Sequence, residues 1–269
     1  MIKRLGEKKA RFEEIARERL LGSPIFPAVR TAYQSVFNRG KLISRQRMLQ
    51  FYSQFVPSDA LVFDVGANVG MYAEVFTELN ARVVAIEPNP ECVSFLRKLS
   101  QRTRVEVVPC AVSDTPGKIQ LQLSGSNQLS SANPEWRERV DQSPYHDGAK
   151  WTEQIEVDCI TLDQLAERHG VPHFVKIDVE GLDDRVMWGM SFKPAGLTFE
   201  FNRLLSSIAW RCMDAPAISS GYEFNFQEWG EMRCVSPVWF ERAEFMERLE
   251  GFVGSNQSGD VVARLKKSV

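Results

Sequence analysis

Five acids and one glycine turn carry the groups in this chain that could do chemistry. Asp64 opens the turn Asp64-Val65-Gly66-Ala67-Asn68-Val69-Gly70, and Glu87 ends the short apolar segment that begins at Arg82. Asp178 and Glu180 stand two apart in Phe174-Val175-Lys176-Ile177-Asp178-Val179-Glu180-Gly181. Glu200 lies between aromatic residues in Leu197-Thr198-Phe199-Glu200-Phe201-Asn202. Asp64 puts a carboxylate beside the unpaired N–H groups that begin the next helix, where ligand ammonium or hydroxyl groups could be held. Glu87 comes 23 residues after Asp64, at a strand tip where two hydrogen bonds can grip a ribose diol. Asp178 and Glu180 share one side of an extended chain. They could orient an ammonium, act as general base, or hold a divalent cation. Glu180 has a plainer reading as an acid favoured at the start of the following helix. Glu200, a carboxylate in a core strand, needs a partner and could join Asp178 and Glu180 at one rim. The spacing of that trio is not diagnostic, and no metal is assigned.

These residues need strands to carry them. Val62, Phe63 and Val65 read as a buried parallel strand, with Gly66 leaving it at backbone angles closed to other residues. Gly70 lets the next helix pack closely. Arg82–Ile86 is a second strand, stopped by Pro88, and Pro90 opens a helix to Ser100. Strands over 61–65, 82–86, 104–110, 155–160, 174–179 and 197–202 alternate with helices over 70–79, 90–100, 162–169 and 183–190. Gly221–Phe226 and Asp260–Leu265 form a final antiparallel pair. The pattern predicts an α/β, doubly wound parallel sheet. Lys118–Leu123 reads as a half-exposed strand. Residues 124–150 read as a long loop, either a substrate-side lid or a surface excursion.

A dinucleotide turn needs G-x-G-x-x-G to close on a pyrophosphate. Here Asn68 stands at the middle glycine and an acid precedes the first, which suits a cationic, phosphate-free nucleoside better than NAD. His169 is explained by a helix end, and His173 precedes the core strand away from the site. His146, in the long loop, is the only histidine placed near substrate. The tryptophans Trp188, Trp210, Trp229 and Trp239 read as core and lid residues.

Composition is ordinary for a soluble protein of 269 residues, with 43% hydrophobic and 25% charged side chains. No apolar run reaches the roughly 20 residues of a membrane helix, and no secretory signal is present, so a cytoplasmic location is expected. Cys92, Cys110, Cys159, Cys212 and Cys234 are scattered singly and read as reduced thiols. Residues 1–50 hold twelve Lys or Arg against four Glu, a net of +8, which leaves −10 on the rest. An acidic body argues against nucleic-acid binding. The basic segment 1–57 reads as helical over 3–21, 28–37 and 42–55. It either caps the domain, forms a homodimer contact, or touches an acidic membrane surface or partner.

Four segments in order resemble the FkbM family of S-adenosylmethionine-dependent methyltransferases: Asp64–Gly70, Glu87-Pro88-Asn89, Ala111-Val112-Ser113-Asp114 and Lys176–Gly181. The resemblance covers about residues 58–205. It implies a class I methyltransferase (Rossmann-like) domain over 58–269, with a seven-stranded sheet whose last strand is antiparallel. It implies methyl transfer from S-adenosylmethionine to a hydroxyl of a sugar, glycan or secondary metabolite. Asp64, Gly66, Ala67, Asn68 and Gly70 would hold the methionine part of the cofactor. Glu87 would bind the ribose, with Pro88 and Asn89 lining that side. Cys110, Ala111 and Val112 would border the adenine, and Asp178 would lie near the amino group or the methyl. Asp178 or Glu180 is the expected base. The alternatives are an NAD-dependent oxidoreductase and a cofactor-binding protein without activity.

Overall fold

The computed structural model describes residues 39–124, 130–143, 151–229, 231–253 and 258–266. α1 (Arg39–Tyr52) leads into β1 (Leu61–Val65), α2 (Met71–Glu78), β2 (Arg82–Ile86), α3 (Pro90–Ser100) and β3 (Val105–Val108). Then come β4 (Ala111–Val112), β5 (Gly117–Ser124), β6 (Ser130–Ser131), α4 (Pro134–Asp141), β7 (Trp151–Ile160) and α5 (Leu162–His169). β8 (Phe174–Ile177), α6 (Asp183–Trp188), β9 (Gly196–Phe201), α7 (Ser207–Met213), β10 (Tyr222–Glu228), α8 (Arg242–Val253) and β11 (Gly259–Leu265) follow.

Seven strands form one sheet in the order β10-β11-β9-β8-β1-β2-β3. β1 runs parallel to β2 and β8, with Asp64 level with Ala85 and Lys176. β11 runs antiparallel between β9 and β10. This is the expected mixed sheet with antiparallel final strands. Every residue of β8 and β9 is buried, as a central strand covered on both faces requires. One face packs Phe63, Val65, Ile177 and Phe199 against α5–α7. The other packs Val62, Phe76 and Phe174 against α1. There Tyr52 meets Phe76 and Phe174 edge to face, with ring centroids 5.0 and 5.8 Å apart.

The end of the N-terminal segment therefore belongs to the domain core. The helical patterns over 3–21 and 28–37 lie outside the described residues. All five cysteines are free thiols, four of them buried. Among the described residues no helix is long and apolar enough to cross a membrane.

Three sequence expectations change. The strand expected over 104–110 stops at Val108: β3 lies in the main sheet, and the next strand, β4, lies in a second sheet ordered β4-β7-β5-β6. A turn from the Cys110 N–H to the Val108 carbonyl, 3.0 Å, makes the break. The two strands around 118–123 and 155–160 pair with each other in that second sheet. The expected long loop contains β6 and α4. Asn133 caps α4 by accepting the Trp136 N–H at 3.2 Å, Pro134 follows it, and Trp136 and Val140 bury one face. Residues 144–150, including His146, lie outside the described set.

Candidate functional site

The loops at the carboxyl ends of β1, β2 and β8 meet at one edge of the sheet. Beyond Val65 the chain turns at once. Gly66 has φ +78°, and a Cβ there would lie 1.8 Å from the Asp178 carbonyl oxygen. The β1 and β8 loops thus touch backbone to backbone, which only glycine permits. The N–H groups of Gly66 and Ala67 both donate to the Ile86 carbonyl at 3.0 Å. Asn68 is also left-handed, at φ +50°, a conformation asparagine tolerates better than most residues. The turn geometry thus accounts for an asparagine at this position. Its Oδ1 accepts the Val69 N–H at 2.6 Å. Gly70 closes on α3 rather than on the strand, with a built Cβ 2.9 Å from Leu96 Cδ2.

Glu87 ties this turn to the next loop. Its Oε2 accepts the Asn68 N–H and its Oε1 accepts the Asn89 N–H, both at 2.8 Å. The N–H groups expected to stand unpaired at the turn are therefore partly used inside the protein. Burial pushes the Glu87 carboxyl up to about 7, against the pull of those two N–H donors. Asn89 in turn caps α3, accepting the Glu91 N–H at 3.0 Å.

Beneath the turn lies a buried charge network that the sequence reading missed. Lys176 is 2% exposed, donates to Asp178 Oδ2 at 2.9 Å, and sits 4.2 Å from the Tyr72 ring centroid. Burial opposes its charge, yet Asp178, Tyr72, Asp64 and Asp260 outweigh it and hold its pKa above the usual lysine range. Asp64 is fully buried, and neither oxygen has a hydrogen-bond partner among the described residues. Its carboxyl rises to about 6, chiefly through burial, with Lys176 opposing. Asp260 on β11 is likewise pushed to about 7 by burial. Asp64 thus faces the protein interior, not the open crevice the sequence suggested. A lysine inside an apolar strand was the available signal, because a buried cation needs anions around it.

Asp178 and Glu180 come together, but not by strand alternation. β8 stops at Ile177. Glu180 and Gly181 take left-handed angles, φ +54° and +100°. The resulting turn, with Glu200 at the end of β9, brings carboxylate oxygens of Asp178, Glu180 and Glu200 within 4.8 Å of one another. Burial and mutual repulsion push the Glu180 and Glu200 carboxyls well up. Asp183, 1% exposed, completes the acid group, also raised by burial to about 7. Asn202 Nδ2 donates to Glu200 Oε1 at 3.2 Å. The insertion pins the turn. Ser131 Oγ donates to the Glu180 carbonyl at 2.6 Å, and Asn133 Nδ2 donates to the Gly181 carbonyl. A Cβ on Gly181 would lie 2.7 Å from the Trp136 ring. Ser130 Oγ accepts from Asn89 Nδ2 at 3.1 Å.

The remaining expected residues are placed as follows. Pro88 sits between Glu87 and the Asn89 cap. Ala111 and Val112 follow the end of β3, whose Val108 carbonyl accepts the Glu87 N–H at 3.1 Å. Val112 and Cys110 are buried in the core, and burial pushes the Cys110 thiol up to about 12, far from a nucleophile. His169, at the end of α5, meets Glu106 at 3.3 Å. The His173 N–H donates to the carbonyl of Leu61, the first residue of β1. Trp188 and Trp229 are exposed rather than core, and Trp136 is the wholly buried ring.

Residues 64–205 match the methyltransferase FkbM domain. No curated protein matches the chain. Among solved structures, the precorrin-6y C5,15-methyltransferase of Geobacter metallireducens GS-15 is 13% identical, covering 82% of this chain and 87% of that one, with a TM-score of 0.39. The plantazolicin methyltransferase BpumL in complex with SAH is 9% identical over 96% of this chain and 98% of that one, TM-score 0.40. An rRNA methylase of Streptococcus thermophilus is 7% identical over 81% and 94%, TM-score 0.40. The domain match spans more than half the chain, and it coincides with the Gly66 turn, the Glu87 loop and the acid turn. The chain belongs to the FkbM family of S-adenosylmethionine-dependent methyltransferases.

Proposed function

We propose that this protein transfers a methyl group from S-adenosylmethionine to a hydroxyl oxygen of a sugar, glycan or secondary metabolite. The observation that carries the reading is the excess of acceptors at one sheet edge. Glu87, Asp178 and Glu180 lie close enough to act on one another's charge, with Asp64 buried beneath them. A pyrophosphate would be repelled there. A ligand with an ammonium, ribose hydroxyls and a sulfonium adds donors and positive charge to the two N–H groups on Glu87 and the Lys176 ammonium on Asp178. When bound, S-adenosylmethionine supplies a methyl group already activated for displacement. The protein's part is to bind, orient and exclude water.

In this reading the Gly66–Gly70 turn holds the methionine part and Glu87 the ribose hydroxyls, lined by Pro88 and Asn89. Ala111 and Val112 border the adenine. Asp178, whose side chain is 35% exposed, reaches the ligand, and Asp178 or Glu180 takes the hydroxyl proton. Residues 130–143 border the acceptor side. Calorimetry with S-adenosylhomocysteine and with NAD separates the readings: the first should bind and the second should not. Binding of NAD alone would overturn the proposal. Incubation with methyl-labelled cofactor should then label hydroxylated acceptors and leave amines unlabelled.

The raised Glu87 carboxyl gives a pH dependence with a definite sign. Ribose hydroxyls donate to the ionised form, so binding must draw its pKa down, and affinity must rise with pH through about 7. If the bound value drops by about 2 units, affinity for S-adenosylhomocysteine should rise roughly tenfold between about pH 6 and 8. Glu87→Gln should flatten this profile, and Glu87→Ala should weaken binding by roughly 2–4 kcal/mol. An unchanged profile in Glu87→Gln would remove Glu87 from the ribose site.

A further inference from the structure

We propose that Asp178, Glu180 and Glu200 form a binding site for one hard divalent cation. Oxygens bound to a single ion lie at most about 5 Å apart at calcium distances and about 4.2 Å apart at magnesium distances. One oxygen from each of the three carboxylates lies within 4.8 Å of the others, so a calcium-sized ion fits this spread and a smaller ion draws the side chains in by a few tenths of an ångström. They come from separate parts of the chain, the β8 turn and the end of β9, so local sequence does not force them together.

A second observation points the same way. Asp183 is 1% exposed, its charge acts on both Glu180 and Glu200, and its Oδ1 has no hydrogen-bond partner among the described residues. Four carboxylates therefore share one pocket. Lys176 neutralises one of them, through Asp178 Oδ2. The nearby Arg211 is engaged by Asp184. With one cation among four carboxyls, the remaining acid oxygens can be neutralised only by protons or by a further cation, and a divalent ion can take the place of the protons.

The surroundings have the form of an outer shell. Asn202 Nδ2 donates to Glu200 Oε1 at 3.2 Å, while its Oδ1 is fixed by the Leu204 N–H at 2.9 Å. Ligand carboxylates held by such hydrogen bonds keep their orientation. On the other side, Ser131 and Asn133 fix the carbonyls of Glu180 and Gly181. Three carboxylates leave three or more positions of the ion for water or for acceptor oxygens. Only that last role rests on the methyltransfer reading, since it takes Asp178 to face the methyl donor.

The test uses the full chain with manganese ion alone, followed by electron paramagnetic resonance and calorimetry, without cofactor or acceptor. One ion per chain should bind, and Glu200→Gln should weaken it at least tenfold. Glu180→Gln should do the same and serves if the first variant fails to fold. Glu244→Gln, in an exposed pair with Arg248, should bind as the wild type does. No saturable binding by the wild type, or wild-type affinity in both Glu200→Gln and Glu180→Gln, would overturn the site. Affinity for S-adenosylhomocysteine, measured without metal on the same samples, reports separately on the cofactor reading.

Discussion

Gly66→Ala should cost roughly 3–5 kcal/mol of stability, combining a left-handed backbone with an overlap no rotamer relieves. The added methyl would meet the Asp178 carbonyl at 1.8 Å, and that atom belongs to backbone held by the Asp178 N–H to Val65 carbonyl bond, 3.0 Å. The turn cannot retreat either, because Gly66 and Ala67 share the Ile86 carbonyl. Against a total of about 5–15 kcal/mol for a domain, such a loss leaves a small folded fraction. Urea denaturation should show a lower midpoint, and calorimetry should show weakened cofactor binding in whatever protein remains folded. A wild-type midpoint would mean the β1 and β8 loops are not in backbone contact.

Lys176→Met should be comparably severe. The side chain is nearly the same length, so packing survives while the charge goes. Removing one partner of a buried pair typically costs about 3–5 kcal/mol, and here Asp64, Asp178 and Asp260 all lose their shared cation. The pH dependence distinguishes this from a packing defect. Asp64 and Asp260 already titrate in the fold at about 6 and about 7, above their ordinary value of 3.8. A raised acid stabilises the fold below its unfolded pKa, and that contribution is lost as pH rises through the folded value. Wild-type stability from these two groups therefore declines between about pH 4 and 7. Without Lys176 both should shift further up, so the decline should be deeper and extend to higher pH. Melting curves from pH 5 to 9 would show it. A uniform loss across that range would mean Lys176 acts through packing alone.

The sequence made the glycine turn and strand tips legible because their signals are local. An apolar run followed by glycine, or by proline, marks where a strand ends whatever lies around it. The strands β1 and β2 and the helix α3 accordingly fall where those signals put them. The charge network was hidden because its members come from β1, α2, β8 and β11, and only the sheet order brings them together. The Glu180–Gly181 turn was hidden for another reason. Phe174–Val179 reads as a strand that runs past Ile177, where β8 stops, and the turn at Gly181 packs against Trp136, 45 residues earlier in the chain. In the segment read as a long loop, the Ser, Asn and Gln around Asn133-Pro134 masked a helix with two buried residues.

The insertion touches both acid loops, through Ser130 to Asn89 and through Ser131, Asn133 and Trp136 to Glu180 and Gly181. It is therefore not an exchangeable cassette. A graft that replaced 124–150 with another segment would leave two carbonyls without donors and a void behind the turn. Any lineage or designer changing what enters on this side must rebuild four anchoring contacts along with the new surface. Recognition and chemistry on this scaffold are bound to drift together.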